Sequence, residues 1–442
     1  MIHCFTINGI NLVLDVGSGS LHQVSDATLA VLQTVDLQKL LQTPASSRSE
    51  IEAEICTLIE KKQLFVPDNM PAVDSHMQMR KPVVKALCLH MAHDCNLRCR
   101  YCFAGDGTYN VSELDRGLMP LDVGKKALDF LINNSGKRRN LEVDFFGGEP
   151  MLNFDVVKEL VAYGRKREVE AGKKFRFTLT TNGLLLSDNE YINQNFDNVV
   201  LSLDGRQNVH DNMRPNLAGK GSYEQIYPKI KALADSRNHA NYYVRGTFTR
   251  NNLDFAADVI HLADIGFKQI SIEPVVAPPE ADYSLREQDL PKLFDEYEKL
   301  ANLLIEYEKQ GKGFHFFHFT MAMDGGPCLA KRVTGCGAGS EYLAVTPSGQ
   351  LYPCHQFVGN SDFYLGDLDT GIIKQGIVES FAKCHVFAKP ECTSCWARYY
   401  CSGGCMANAY NSYGDILKPD KISCELQKKR IECALYLLAL RA

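Results

Sequence analysis

The sequence predicts an α/β protein whose centre is a partial (β/α)6 TIM-like barrel, with a small domain before it and another after it. Segments with the patterns of strands and helices alternate six times between about residues 83 and 309. Six such units fall short of the eight that close a barrel. The 442 residues also exceed one ordinary domain. We therefore expect three domains, over residues 1–80, 81–320 and 321–442.

The first domain has the pattern of a small winged-helix module. Three short strands, at residues 2–7, 10–16 and 21–25, precede a helix that begins near Ala27. A second helix is expected over residues 49–62, with a closing strand, the wing, at 63–67. The polar stretch 67–81 has prolines at or near its ends, which indicates a linker.

The middle of the chain predicts the barrel, because runs rich in β-branched and aromatic residues alternate with helical periodicity. The strands are expected at residues 84–91, 141–146, 175–181, 199–203, 242–248 and 269–273. The helices are expected at 121–134, 154–169, 223–236, 253–265 and 286–309. Loops at the carboxyl ends of the strands would then carry the active site.

Composition excludes several classes of protein. The net charge of −5 argues against a general nucleic-acid or membrane-surface binder. We find no apolar run of about 18 residues and no signal pattern, so a cytoplasmic protein is expected. In a reducing compartment its 16 cysteines are expected to bind metal rather than to form disulfides. The segment after about Gly325 is rich in Gly and Cys, and metal would have to hold it together.

Three cysteines just after the first barrel strand, Cys95, Cys99 and Cys102, have the spacing C-x3-C-x2-C. Thiolates are soft, anionic donors that suit iron–sulfur clusters. Three of them can hold three irons of a cubane and leave the fourth iron open. Zinc is the main alternative, but closed structural zinc sites usually take four protein ligands in two close pairs.

This loop resembles that of the radical S-adenosylmethionine (SAM) superfamily, in which an aromatic residue, here Tyr101, precedes the last cysteine. The resemblance implies that SAM chelates the open iron. Transfer of one electron then cleaves SAM to methionine and a 5′-deoxyadenosyl radical, which removes a hydrogen atom from the substrate. Other implied SAM-binding positions follow later strands, where glycines allow close backbone approach. They are Gly147, Gly148, Glu149, Asn182, Ser202, Asp204 and Arg214.

The carboxyl-terminal cysteines resemble the seven-cysteine pattern of SPASM domains, which implies two auxiliary 4Fe–4S clusters and three clusters in all. The implied ligands are Cys336, Cys354 and Cys405 for the first auxiliary cluster, and Cys392, Cys395, Cys401 and Cys424 for the second. A zinc ribbon is the alternative for Cys392-x2-Cys395. Cys328 could close the first cluster, but we favour an iron left open to a substrate thiolate. Five cysteines match no ligand pattern and are expected to be structural, namely Cys4, Cys56, Cys88, Cys384 and Cys433.

The amino-terminal domain decides the expected substrate class. Winged-helix domains commonly bind DNA, but residues 1–80 carry nine acidic and five basic side chains, which opposes phosphate contact. In peptide-modifying enzymes the same shape binds a leader peptide as an added β-strand.

From the string IHCFTINGINLVLDVGSGSLHQVS through the last predicted cluster ligand, Cys424, the chain resembles the maturases of "six cysteines in forty-five" (SCIFF) peptides. These are thioether-forming radical SAM oxidoreductases of the sactisynthase or ranthipeptide type. The resemblance implies that a cysteine-rich precursor peptide receives a bond from a cysteine sulfur to a carbon. A flavodoxin or ferredoxin would be the electron donor, and neither nucleic acid nor a membrane is an expected partner.

Two other functions remain open. An anaerobic sulfatase-type maturase would make formylglycine from Cys or Ser by the same radical chemistry, but it needs no leader-binding domain. An iron–sulfur redox-sensing regulator with a winged-helix reader would bind DNA, which the acidic domain and the SAM motifs oppose.

Overall fold

The computed structural model describes residues 1–68, 73–75, 81–111, 117–321 and 329–441. The chain forms a three-stranded antiparallel sheet and an eleven-stranded sheet that is mostly parallel. Within these ranges, none of the helices combines the length and the apolar character that a membrane span requires.

The amino-terminal module has the predicted three strands followed by helices. The strands are β1 (Ile2–Ile7), β2 (Ile10–Asp15) and β3 (Leu21–Val24), and the helices are α1 (Asp26–Thr34), α2 (Leu37–Gln42) and α3 (Glu50–Glu60). Ser25 caps α1 by accepting a hydrogen bond from the Thr28 amide, and Ser49 forms a capping box with Glu52 at the start of α3. The short helix α2 is an addition to the prediction.

The predicted closing strand at residues 63–67 is wrong. The amides of Lys62 and Gln63 donate to carbonyls of α3, so these residues finish the helix. Phe65 has a φ of 53°, in the left-handed region that a strand excludes. The amide of Val66 then donates to the carboxylate of Asp15 at 3.1 Å instead of to a neighbouring strand.

All six predicted barrel strands are present, and they pair in parallel in sequence order. They are β4 (Ala86–Ala92), β5 (Asn140–Gly147), β6 (Lys174–Thr181), β7 (Asn198–Ser202), β8 (Tyr242–Phe248) and β9 (Gln269–Pro274), followed by a two-residue strand β10 (His315–Phe316). The helices are α4 (Leu121–Asn134), α5 (Phe154–Ala171), α6 (Asn189–Asn195), α7 (Gln207–Met213), α8 (Tyr223–Ser236), α9 (Phe255–Asp264) and α10 (Leu290–Lys309). The predicted partial barrel is confirmed.

The cysteine-rich segment extends the barrel sheet instead of folding apart from it. Its elements are α11 (Leu329–Thr334), β11 (Tyr342–Val345), β12 (Gln350–Tyr352), β13 (Gly366–Asp367), β14 (Gly371–Ile372), α12 (Gln375–Lys383), α13 (Pro390–Thr393), α14 (Arg398–Cys401), α15 (Met406–Tyr413) and α16 (Lys421–Arg441). Strand β11 pairs in parallel with β4, and β12–β14 continue antiparallel. Helix α16 packs along α10.

The amino-terminal module contacts this segment at the single tryptophan of the chain. His3 stacks on Trp396 with ring centroids 3.7 Å apart and 6° between the ring planes. Its Nε2 lies 3.0 Å from a carboxylate oxygen of Glu432 on α16, and Arg398 donates a hydrogen bond to Asp68 nearby. The module is therefore docked on the loop that carries several of the predicted cluster ligands.

Candidate active site

The first cysteine loop follows β4 and is anchored to the end of α7 and the residues after it. The amide of Arg98 donates to the carbonyl of Pro215 at 2.8 Å, and the amide of Arg100 donates to that of Met213 at 2.9 Å. The guanidinium of Arg98 turns back to the carbonyl of Cys95 at 2.7 Å. These bonds fix the loop with the three predicted ligands at the carboxyl end of the first barrel strand.

The thiols of this loop are held in an environment that suits metal binding. Burial raises the pKa of Cys95 and that of Cys99 to about 12. Two N–H groups approach the sulfur of Cys95, from the Leu97 amide at 3.5 Å and from Asn182 Nδ2 at 3.7 Å. Thiols with such a pKa give up their protons at neutral pH only in exchange for a metal, and hydrogen bonds to sulfur stabilise the bound thiolate. The donor set fits an iron–sulfur cluster.

Two glycines at the end of β5 let the cysteine loop pack against that strand. A Cβ on Gly148 would lie 2.0 Å from the carbonyl oxygen of Asp94, and one on Gly147 would lie 2.5 Å from that of Ala92. Gly147 also has a φ of 119°, which favours glycine. The close backbone approach found here is that of the cysteine loop itself.

Glu149 joins the ends of β5 and β6. Its side chain is 1% exposed and accepts hydrogen bonds from the Met151 amide at 3.0 Å, the Thr181 hydroxyl at 2.7 Å and the Asn182 amide at 2.8 Å. Burial raises the pKa of this carboxyl to about 7, although the hydrogen bonds oppose the shift. Asn182 donates in turn to Asn96 Oδ1 in the cysteine loop at 2.7 Å. Glu149 therefore positions Asn182 beside the first cysteine.

Asp204, Arg214 and Tyr101 form a buried cluster behind the loop. The guanidinium of Arg214 donates to both carboxylate oxygens of the fully buried Asp204, at 3.0 and 3.1 Å. The Tyr101 hydroxyl and the Thr247 amide also donate to Asp204, at 2.6 and 3.0 Å. The charge of Arg214 opposes the effect of burial on the pKa of Cys99. Asp204 thus holds a cation and an aromatic ring next to the second cysteine.

The structure places all the predicted SAM-binding positions at one end of the sheet. Ser202 is half-buried at the end of β7, while Asn182 follows β6 and Gly147 ends β5. These strand ends adjoin the cysteine loop, as expected for parallel strands.

The seven predicted auxiliary ligands lie in two groups. The groups are Cys336, Cys354 and Cys405, and Cys392, Cys395, Cys401 and Cys424. Burial, and then the three other thiols of its group, raise the pKa of Cys424 to about 12. Burial, Cys405 and Cys336 raise that of Cys354. Backbone amides donate toward Cys354, Cys401 and Cys405. The same two sets are implied by the SPASM pattern.

The remaining cysteines are placed as follows. Cys328, the candidate fourth ligand of the first auxiliary cluster, lies outside the described residues. Among the described residues, no three His, Cys, Asp or Glu side chains are arranged to hold a single metal ion; in a cubane, each thiolate binds an iron of its own. The five cysteines predicted to be structural are buried or half-buried, namely Cys4, Cys56, Cys88, Cys384 and Cys433.

Sequence reasoning missed two residues that support the site. Asn96 contacts a motif residue as described above, and the Tyr109 hydroxyl donates to the carbonyl of Gly147 at 3.1 Å. Asn96 lies inside the cysteine loop, so its position was an available signal. Nothing in the sequence links Tyr109 to the second strand.

Comparison with known proteins agrees with this geometry. A family model described as a 4Fe-4S single cluster domain matches residues 84–228. The radical SAM cyclopropyl synthase TigE of Paramaledivibacter caminithermalis is 22% identical, over 93% of this chain and 89% of that protein. The cysteine-type anaerobic sulfatase-maturating enzyme of Clostridium novyi is 24% identical, over 77% of this chain and 92% of that protein.

Solved structures share the fold. Native anSMEcpe with bound AdoMet (that is, SAM) superimposes with a TM-score of 0.64 at 21% identity, covering 80% of this chain and 98% of that chain. Streptococcus suis SuiB bound to its precursor peptide SuiA gives a TM-score of 0.52 at 14% identity, covering 96% and 98%.

The chain has the partial-barrel fold found in radical SAM enzymes, and its relatives support radical SAM chemistry. These relatives include a radical SAM cyclopropyl synthase and a sulfatase-maturating enzyme, and the predicted resemblance to radical SAM maturases of the SPASM type is confirmed. The thioether product, the number of clusters and the roles of individual residues stay predictions.

Proposed function

We propose that this enzyme installs a thioether between a cysteine sulfur and a carbon of another residue in a ribosomally made, cysteine-rich precursor peptide. The observation that carries the proposal is that one chain combines three groups of cysteines with a module whose last strand, β3, has an outer edge that pairs with no described strand. The three groups would hold three 4Fe–4S clusters, and the module would hold the leader of the peptide.

The cysteine loop would hold the cluster that supplies one electron to cleave SAM and so form the 5′-deoxyadenosyl radical. The surrounding residues orient the loop. Asn182 and Asn96 lie on one side of Cys95, and Asp204 holds Arg214 on the side of Cys99. The fixed positive charge of that guanidinium favours the thiolate form.

The amino-terminal module offers a binding edge for the leader. Strand β3 is the last strand of its sheet, so no described strand pairs with its outer edge. A groove beside that edge is lined by Val24 of β3, Leu32 of α1, and Ile55 and Leu58 of α3. An extended peptide can add a strand to β3 and place alternate side chains in this groove.

The extent of the matches favours a leader-dependent maturase. TigE and SuiB match nearly the whole chain, whereas the sulfatase-maturating relative and anSMEcpe leave about a fifth of it unmatched. That fraction is about the length of residues 1–80. The sulfatase-type function is the second candidate, supported by the 24% identity to the Clostridium novyi enzyme.

The test is anaerobic incubation of the reconstituted enzyme with SAM, a reductant and a cysteine-rich peptide encoded beside its gene. We expect deoxyadenosine, a peptide that has lost two hydrogen atoms, and one thiol that no longer reacts with an alkylating reagent. A variant with Ala at Cys95, Cys99 and Cys102 is the control and should give none of these.

Other outcomes separate the alternatives. Loss of two hydrogens with every thiol still alkylatable would indicate a bond between carbons. An aldehyde in place of a cysteine would indicate the sulfatase type. An unmodified peptide despite SAM turnover would refute the proposal.

A second experiment tests the leader site. Leu58→Lys puts a charge into the groove and should weaken peptide binding at least tenfold, since the buried apolar contact is lost. SAM cleavage without peptide should be unchanged. Ile51→Lys, on the same helix but outside the groove lining, is the matched control, and equal peptide affinity for both variants would exclude this groove.

A further inference from the structure

Asp144 is a carboxylate on the inner face of the barrel for which no role has yet been given. Along β5, Leu141, Val143 and Phe145 are buried in the core between the sheet and the helices. Side chains alternate along a strand, so Asp144 points to the opposite, concave face. It lies three residues before Gly147, about 10 Å below the strand end that carries the predicted SAM site.

The surroundings of Asp144 use little of the hydrogen-bonding capacity of its carboxylate. The Thr180 hydroxyl on β6 donates to Oδ1 at 3.1 Å, and this is the sole hydrogen bond to this carboxylate among the described residues. Three charged or titratable groups face it from other strands: Arg245 on β8, Tyr342 on β11 and Cys88 on β4. Burial raises the pKa of both Tyr342 and Cys88 well above their usual values, so both stay neutral near pH 7.

The nearby cation only partly compensates for the burial of Asp144. Arg245 forms an ion pair with Glu273 at 2.5 Å, so its charge is shared. Burial raises the pKa of the Asp144 carboxyl to about 7, while Thr180 and Arg245 oppose the shift. Nevertheless the side chain is only half-buried by area. A group that is enclosed by protein yet touches open space lines an internal cavity, so Asp144 faces the interior of the barrel.

This cavity wall leads to the first auxiliary group of cysteines. The Tyr342 hydroxyl lies 3.3 Å from Nδ1 of His355, the residue after Cys354. Tyr342 is also within electrostatic range of both Asp144 and Cys354. Asp144 therefore sits on the side of the barrel where an open iron would receive a substrate thiolate.

We propose that Asp144 accepts the proton of the substrate cysteine thiol in the crosslinking reaction, an inference that rests on the proposed function. The S–H bond breaks, an O–H bond forms on Asp144, and the sulfur keeps the electron pair that becomes the carbon–sulfur bond. The acceptor carbon gives a hydrogen atom to the adenosyl radical made from SAM, and the remaining electron leaves to an iron–sulfur cluster. The two lost hydrogens are thus one proton, one hydrogen atom and one electron.

The test measures crosslinking and uncoupled SAM cleavage against pH in cluster-loaded enzyme. Wild type should gain crosslinking activity as pH rises through about 7. Asp144→Asn should lose about a hundred- to ten-thousandfold in crosslinking but keep its iron content and its peptide-free SAM cleavage. Thr180→Val should move the acid limb to higher pH, since it removes a hydrogen bond that stabilises the carboxylate. The Thr178 hydroxyl makes no hydrogen bond to Asp144, so Thr178→Val should leave the acid limb where it is.

An independent readout is infrared titration of carboxyl groups in the same protein. Two carboxyls, those of Asp144 and Glu149, should titrate near pH 7 in wild type, and only one of these two signals should remain in Asp144→Asn. Crosslinking by Asp144→Asn at the wild-type rate, or an unmoved acid limb in Thr180→Val, would overturn the inference while leaving the proposed function standing. Loss of iron or of SAM cleavage in Asp144→Asn would show a structural role instead. If wild type cleaves SAM but forms no thioether, the proposed function fails and this inference fails with it.

Discussion

Asp204→Asn tests whether the buried ion pair behind the cysteine loop stabilises the fold. Asp204 is fully buried and Arg214 is 9% exposed, so the amide would leave the guanidinium buried without a counter-charge. Removing one partner of a buried pair costs about 3–5 kcal/mol. At about 2–4 °C per kcal/mol for a large domain, the unfolding midpoint of the metal-free protein should fall by roughly 6–20 °C. Differential scanning calorimetry measures this directly.

A matched control comes from a second arginine that binds carboxylates. Asp254 contacts Arg206 at 2.9 Å, but its side chain is 48% exposed. Arg206 also keeps a second partner, Asp258. Asp254→Asn should therefore cost less than about 1 kcal/mol. The reasoning is refuted if both variants shift the midpoint equally, or if Asp204→Asn shifts it by less than about 2 °C. Burial would then not determine how much the Asp204–Arg214 pair contributes to the free energy of unfolding.

Two further predictions concern the cluster loops. Gly148→Ala should greatly reduce iron bound by the first loop, because its Cβ would lie 2.0 Å from a carbonyl oxygen of that loop. Gly172→Ala has open space around the new Cβ and should keep the full iron and sulfide content on analysis. In metal-free protein, His3→Ala should increase acrylamide quenching of Trp396, the single tryptophan, because the stacked ring is lost. His22→Ala, on the other edge of the same sheet, should leave quenching unchanged.

Local patterns predicted most of the barrel. Helices α4 and α8 begin and end at the predicted residues, because apolar side chains recur along them at helical spacing. The resemblance to the SPASM pattern predicted which of the carboxyl-terminal cysteines the structure groups together. The prediction of a closing strand at residues 63–67 was wrong because it was inferred from composition alone. The Asp15 carboxylate that takes up the Val66 amide is distant in sequence.

Contacts between distant segments could not be predicted. Strand β11 pairs with β4 across more than two hundred residues, which joins the cysteine-rich segment to the barrel sheet. Such pairing is set by the packing of whole elements and leaves no local periodicity. The neighbours of Asp144 could not be predicted either. The alternation along β5 indicates which face Asp144 lies on, but its neighbours on β6, β8 and β11 follow only from the pairing of the strands.

The contacts of the motif residues distinguish those that orient the cysteine loop from those that can contact a ligand, and the motif alone does not reveal this. Glu149, Asp204, Arg214 and Tyr101 direct most of their polar atoms to one another or to neighbouring strand ends. Groups engaged in this way act first on the cysteine loop and only through it on a ligand. Substitutions at Glu149 or Asp204 should therefore reduce bound iron before they weaken SAM affinity, whereas Ser202, which makes no recorded side-chain hydrogen bond in the described part of the chain, is free to act on the ligand directly.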